Sequence, residues 1–195
     1  MIMKVRWRTA AVLLVGAVVL PICCAMFLPI LLPPLWRMRH GGFLSNDGIT
    51  VALKGGWTGY GIPDGVQLTK PSWEGRLSSP LSVRTSVLLL TSFHKCLDRA
   101  TQERVLSGTL KYRKDGGYAN VRPITLVEGG NTFECVRSES ASDFKQVTLE
   151  CTASEGNASF YIAGHDADIQ DGLGIVGSAA VSLRCKTPRP NGPGF

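Results

Sequence analysis

The chain has 195 residues, with 21 Lys and Arg against 15 Asp and Glu and a formal charge of +6. That length suits one domain with an appendage rather than two domains. The charge is no nucleic-acid footprint: Lys4, Arg6, Arg8, Arg37 and Arg39 lie among residues 1–40, which hold no acid, while the remainder sets sixteen cations against fifteen anions without a basic stripe.

No charged residue occurs from Thr9 to Trp36. Crossing the hydrocarbon core takes roughly 20 apolar residues, and this stretch exceeds that. It also exceeds the roughly 7–15 residue apolar region of a signal peptide. Cleavage after Ala25 would leave an apolar new terminus, so residues 9–36 read as an uncleaved signal anchor in the lipid bilayer. Pro21 predicts a kink, and Pro29, Pro33 and Pro34 predict its end near residue 32. Cys23 and Cys24 read as small polarizable residues packed in lipid. Three cations before the span against two after it favour a cytoplasmic N-terminus of residues 1–8, too short for an enzyme or signalling domain.

Residues 43–187 read as an extracytoplasmic β domain, and residues 188–195 as a disordered tail. The Gly-rich run 55–65 lacks the phosphate-loop pattern. It reads as an irregular lead into a sheet with Trp57 and Tyr60 on the core; the sharper alternative is an aromatic surface for a partner or glycan. Leu81, Val83, Val87, Leu89 and Phe93 share one face, and Leu88 and Leu90 make the middle apolar on both faces, as in a central strand. A short helix near His94–Arg104 has Phe93, Leu97 and Ala100 at helical spacing. Leu106, Leu110 and Tyr112 predict a strand, with the cations Lys111, Arg113 and Lys114 at its solvated end. Ile124 with Leu126, Phe133 with Cys135, Val147 with Leu149 and Cys151, and Phe160 with Ile162 continue the strand series. The last and longest strand is predicted over Leu173–Lys186, where period-two alternation runs unbroken. Turns are predicted at 115–117, 128–131, 154–157 and 171–172. Together these predict a mainly β domain, an antiparallel sandwich or barrel.

Cys96, Cys135, Cys151 and Cys185 form an even set, which in an exported domain predicts two disulfides. Three pairings are open. Cys135–Cys151 with Cys96–Cys185 is favoured, since the first closes a local two-strand unit; on a chain-entropy account the bridges contribute about 3 and 4–5 kcal/mol. A zinc site through these cysteines is disfavoured because no Cys-x-x-Cys pair occurs in the domain, and His94 and His165 do not form a His-x3–5-His pair.

No catalytic residue is assigned, since no Gly-x-Ser-x-Gly elbow occurs. The strongest polar cluster is His165, Asp166, Asp168 and Asp171 before Gly172. Its carboxylates have the chemistry of a calcium loop, although the spacing misses the EF-hand; the plainer reading is a solvated loop shaped by Asp166 or Asp171. Asn157-Ala158-Ser159 is a formal glycosylation sequon. The expectation is a single-pass, extracytoplasmic binding or assembly module, a non-catalytic subunit or accessory of an envelope membrane complex, with a protein partner, no cofactor and no nucleic acid. The alternatives are a small envelope hydrolase or metal-dependent enzyme using His165, Asp166 and Asp168, and an inhibitor or adhesin presenting Trp57–Tyr60.

Overall fold

The computed structural model describes residues 17, 19, 34–36, 38–39, 41–72, 84–93, 96–140 and 146–179. The chain forms two compact units, Met1–Arg39 and His40–Phe195. In the first unit every described residue is helical. Among the described residues no helix is long and apolar enough to cross a membrane. Most of the expected anchor, residues 9–36, lies outside the described residues, as do Pro21, Cys23, Cys24, His94, Cys185 and the tail 188–195.

The second unit is mainly β. It starts with a hairpin of β1 (Phe43–Asn46) and β2 (Ile49–Ala52), which forms a two-stranded sheet of its own. Asp47 and Gly48 make the two-residue turn, both at positive φ (46° and 79°), the backbone that matches strand twist in such hairpins. Next come β3 (Thr58–Ile62), β4 (Gly65–Ser72) and β5 (Arg84–Ser92). Helix α1 (Arg99–Asp115) follows, then β6 (Ala119–Glu128), β7 (Asn131–Glu139), β8 (Val147–Ala153) and β9 (Ala158–Gly164). Helix α2 (Asp166–Ala179) closes the described chain.

Strands β3–β9 form one antiparallel sheet in the order β3-β4-β5-β9-β8-β7-β6. Two meanders, β3–β5 and β6–β9, meet where β9 pairs with β5, Leu88 opposite Ile162 and Leu90 opposite Phe160. The expected antiparallel β character holds. The sandwich or barrel does not describe it: among the described residues the large sheet is open, with β3 and β6 as edges, and a helix lies on each face.

The register sorts side chains onto two faces. Val66, Leu68, Leu88, Leu90, Phe160, Ile162, Leu149, Cys151, Cys135 and Phe133 share one face, and all are buried. Phe133 meets Phe160 edge to face at 5.0 Å, a favoured aromatic geometry. Each fully buried leucine here contributes about 2 kcal/mol. Helix α2 packs on this face: Gly172 lies over Ile162, whose Cδ1 would stand 3.2 Å from a methyl placed there. The opposite face carries Val87, Leu89, Tyr161, Glu150, Glu134 and Val136, and α1 lies across it.

Four readings of the sequence need correction. The strand expected over Leu173–Lys186 is contradicted at 173–179, which belong to the helix 166–179, while 180–186 lie outside the described residues. The buried set Ile169, Gly172, Leu173 and Val176 has i, i+3, i+4, i+7 spacing, and the predicted turn at 171–172 falls inside this helix. Leu106, Leu110 and Tyr112 lie in α1, which starts at Arg99 and runs far beyond the short helix expected. Residues 58–62 are a regular edge strand rather than an irregular lead. In β5 the fully buried face is Ser86, Leu88 and Leu90, while Val87 and Leu89 are half-buried.

Candidate functional site

Helix α1 is placed by polar contacts rather than by an apolar stripe. Asp98 caps its start, its Oδ1 accepting the Thr101 N–H at 2.7 Å; this satisfies one of the free donors of a helix N-terminus. The capping hydrogen bond holds the exposed Asp98 carboxyl below the usual carboxylate range. Arg99 reaches from the first turn to Glu103 (2.9 Å) and to Glu134 of β7 (2.8 Å). In the last turn, Arg113 goes the other way, into the sheet. It is buried, its Nη2 donates to Glu150 Oε2 at 3.2 Å, and its guanidinium lies 4.6 Å from the Tyr118 ring centroid and 5.9 Å from those of Tyr112 and Tyr161. Burial pulls the Arg113 pKa down, but Glu150, Tyr118 and Tyr161 outweigh it and the net shift is upward, so the side chain stays charged. Its Nε has no hydrogen-bond partner; the aromatic faces around it supply cation–π attraction instead.

With Gln102 and Arg113 as its only buried residues, α1 covers its face of the sheet incompletely. A groove of about 400 Å³ opens on one side, lined by Leu89, Phe93, Leu97, Val105, Phe160 and Tyr161 among others. A second, of about 500 Å³, opens on the other side, between Leu106 and Leu110 of α1 and Pro123, Ile124 and Val136 of the sheet. Around them three apolar residues stand in solvent: Val105 (45% exposed) and Tyr112 (68%) on α1, and Val127 (68%) on β6. This arrangement offers apolar contact area ringed by charge, the composition of a binding surface.

The cluster His165, Asp166, Asp168 and Asp171 sits at the start of α2 and not on a loop. Asp166 and Asp168 diverge: Asp166 points outward with 84% of its side chain exposed and lies 3.8 Å from Arg137, whereas Asp168 turns inward. Asp168 Oδ2 accepts from Ser86 Oγ at 2.6 Å, and its Oδ1 lies 2.7 Å from Lys70 Nζ. Lys70 is also 2.7 Å from Asp171 Oδ2, so an ammonium occupies the space between the two carboxylates. Burial lowers the Lys70 pKa, but the hydrogen bonds and charges of Asp168 and Asp171 outweigh it and the net shift is upward. This node ties α2 to β4 and β5. Among the described residues no three or more His, Cys, Asp or Glu side chains are grouped to hold a metal ion.

The structure joins Cys135 to Cys151, directly opposite one another on β7 and β8. Cys96 is also disulfide-bonded. Trp57 is fully buried and offers no contact surface, whereas Tyr60 is exposed. Asn157 is only 3% exposed, so the sequon cannot carry a glycan in the folded domain. Lys111 and Lys114 are exposed on the last turns of α1, not at a strand end, and Arg113 between them belongs to the interior. Sequence reasoning missed Lys70, Ser86 and Glu150, whose partners are distant in the chain, and Val105, Tyr112 and Val127, whose exposure depends on how α1 crosses the sheet. No protein-family model matches this chain, and no characterised protein matches it in sequence.

Proposed function

We propose that this chain is a membrane-anchored, extracytoplasmic binding or assembly module that holds a protein partner on the α1 face of its sheet. The observation that carries the reading is the pair of grooves flanking α1, with Val105, Tyr112 and Val127 exposed around them. The uncharged run from Thr9 to Trp36 supports the anchor. The Cys135–Cys151 bridge and the disulfide at Cys96 support an oxidising compartment, and we assign Cys185 as the partner of Cys96.

The test is isolation of the tagged full-length chain from its native membrane in mild detergent, with mass spectrometry of what co-purifies. The wild type should bring down a reproducible stoichiometric partner, and the double variant Val105→Asp/Tyr112→Asp should lose it while still accumulating to wild-type levels. Recovery of the same partner with both forms, or of no other protein with either, overturns the reading.

A further inference from the structure

We infer that β6 is a self-pairing edge, at which two copies of this chain join antiparallel about a two-fold axis through Thr125. This rests on the main-chain geometry and charges of the β6 edge, not on the partner proposed for the α1 face, although Pro123 and Thr125, which line one groove, and Val127 are common to both surfaces.

The main-chain geometry fixes what the edge offers. Ser154 donates its N–H to the Thr132 carbonyl (2.8 Å), so the polar groups of Thr132 face β8. Alternation along β7 turns those of Asn131, Phe133 and Cys135 toward β6. Across the register these residues oppose Glu128, Leu126 and Ile124, whose main-chain groups therefore point to β7. The intervening Pro123, Thr125 and Val127 point theirs away from the sheet. Among the described residues no strand pairs with that side. Pro123 stands where its missing N–H removes no ladder bond, the position in which an edge strand tolerates proline.

Pairing about Thr125 uses this edge economically. Thr125 and its copy exchange both of their bonds, and at each end the Val127 N–H donates to the carbonyl of Pro123 in the second copy. On the α1 side the exposed Pro123 meets the exposed Val127 of the second copy. On the other side Arg122 meets Glu128 of the second copy, at both ends of the pairing.

Charge selects this occupant and register. Arg122 is exposed and sits directly opposite Arg137, a like-charge arrangement that disfavours the pair. Arg137 is committed to Glu139 (3.1 Å) and Asp166 (3.8 Å). Neither Arg122 nor Glu128 has an ion-pair partner among the described residues. A carboxylate arriving beside Arg122 relieves it, and the two-fold operation about Thr125 brings Glu128 to that place.

The test uses the full-length chain in detergent. Its mass by light scattering should be that of a dimer. Thr125→Cys should cross-link to a disulfide-bonded dimer on mild copper-catalysed oxidation, whereas Lys114→Cys should not. Arg122→Glu should weaken dimerisation about tenfold or more, through loss of two symmetric charge pairs. Glu128→Arg should do the same, and the double variant Arg122→Glu/Glu128→Arg should restore it, which separates a lost contact from a damaged fold. A wild-type monomer, a Thr125→Cys chain that stays uncrosslinked or links to a different protein, or a dimer indifferent to Arg122→Glu each overturns the inference.

Discussion

Replacing Lys70 with Met should destabilise the domain by about 2–3 kcal/mol. The side chain nearly keeps its length and apolar stem, so the loss is that of the ammonium between Asp168 and Asp171, at 2.7 Å from each. Leaving a buried carboxylate uncompensated costs about 3–5 kcal/mol. Asp168 is largely buried and keeps only its bond from Ser86, while Lys70 is 22% exposed and water partly screens the pair, hence the lower figure. Asp171 is 41% exposed, so Asp171→Asn should cost about 0.5 kcal/mol or less. Urea unfolding followed by far-ultraviolet circular dichroism measures this: Lys70→Met should lower the midpoint by about 1 M or more at unchanged slope. The pH dependence adds a second readout. The folded Lys70 pKa lies above its usual 10.5, so its contribution is complete below 10.5 and is lost as pH rises through the higher folded value. Lys70→Met should remove that alkaline loss. Equal costs for Lys70→Met and Asp171→Asn, or a wild-type midpoint for Lys70→Met, would refute the assignment of this node as the clamp on α2.

Other expectations follow from the same geometry. Cys135 and Cys151 are separated by 16 residues, and the double alanine variant should lose about 3 kcal/mol on a loop-entropy basis, read as the shift in denaturation midpoint. Gly129 and Gly130 form one turn, at φ 57° and 80°. A methyl at Gly129 runs into the Gly177 backbone while one at Gly130 meets open space, so Gly129→Ala should cost about 2–4 kcal/mol and Gly130→Ala about 1. Trp57→Ala should cost about 3–5 kcal/mol, and the exposed Tyr60→Ala no more than about 0.5; thermal unfolding of the two variants compares them directly.

The strands were legible where one face is apolar and the other polar. Phe133 with Cys135, and Val147 with Leu149 and Cys151, alternate cleanly because one side of the sheet is the core, and the same parity put the two cysteines opposite one another. Helix α1 was legible only at its start, within the short helix expected near His94–Arg104; the rest was not, because its inward residues are Gln102 and Arg113 and no apolar stripe marks it, and the four-residue spacing of Leu106 and Leu110 went unread. Helix α2 misled for the opposite reason. Gly174, Gly177, Ser178 and Ala179 are small enough to satisfy either period, and reading from Leu173 cut away Ile169 and the acidic first turn that suits a helix N-terminus. The Lys70 node joins residues 101 positions apart, a pairing that no local pattern encodes. The grooves arise from the same polar inward face of α1 and were invisible for the same reason.

The position of β9 sets the order in which the domain can be made. Among the described residues the last strand in sequence is the middle of the sheet, and it alone joins the β3–β5 ribbon to the β6–β8 ribbon. Until residues 158–164 have been synthesised and threaded between them, each ribbon carries an unpaired inner border lined by Leu88 and Leu90 or by Leu149 and Cys151. These are the residues that aggregate when exposed on an edge. Productive folding is thereby deferred until β9 has emerged, and a product truncated before Ala158 is two sticky half-sheets rather than a smaller domain.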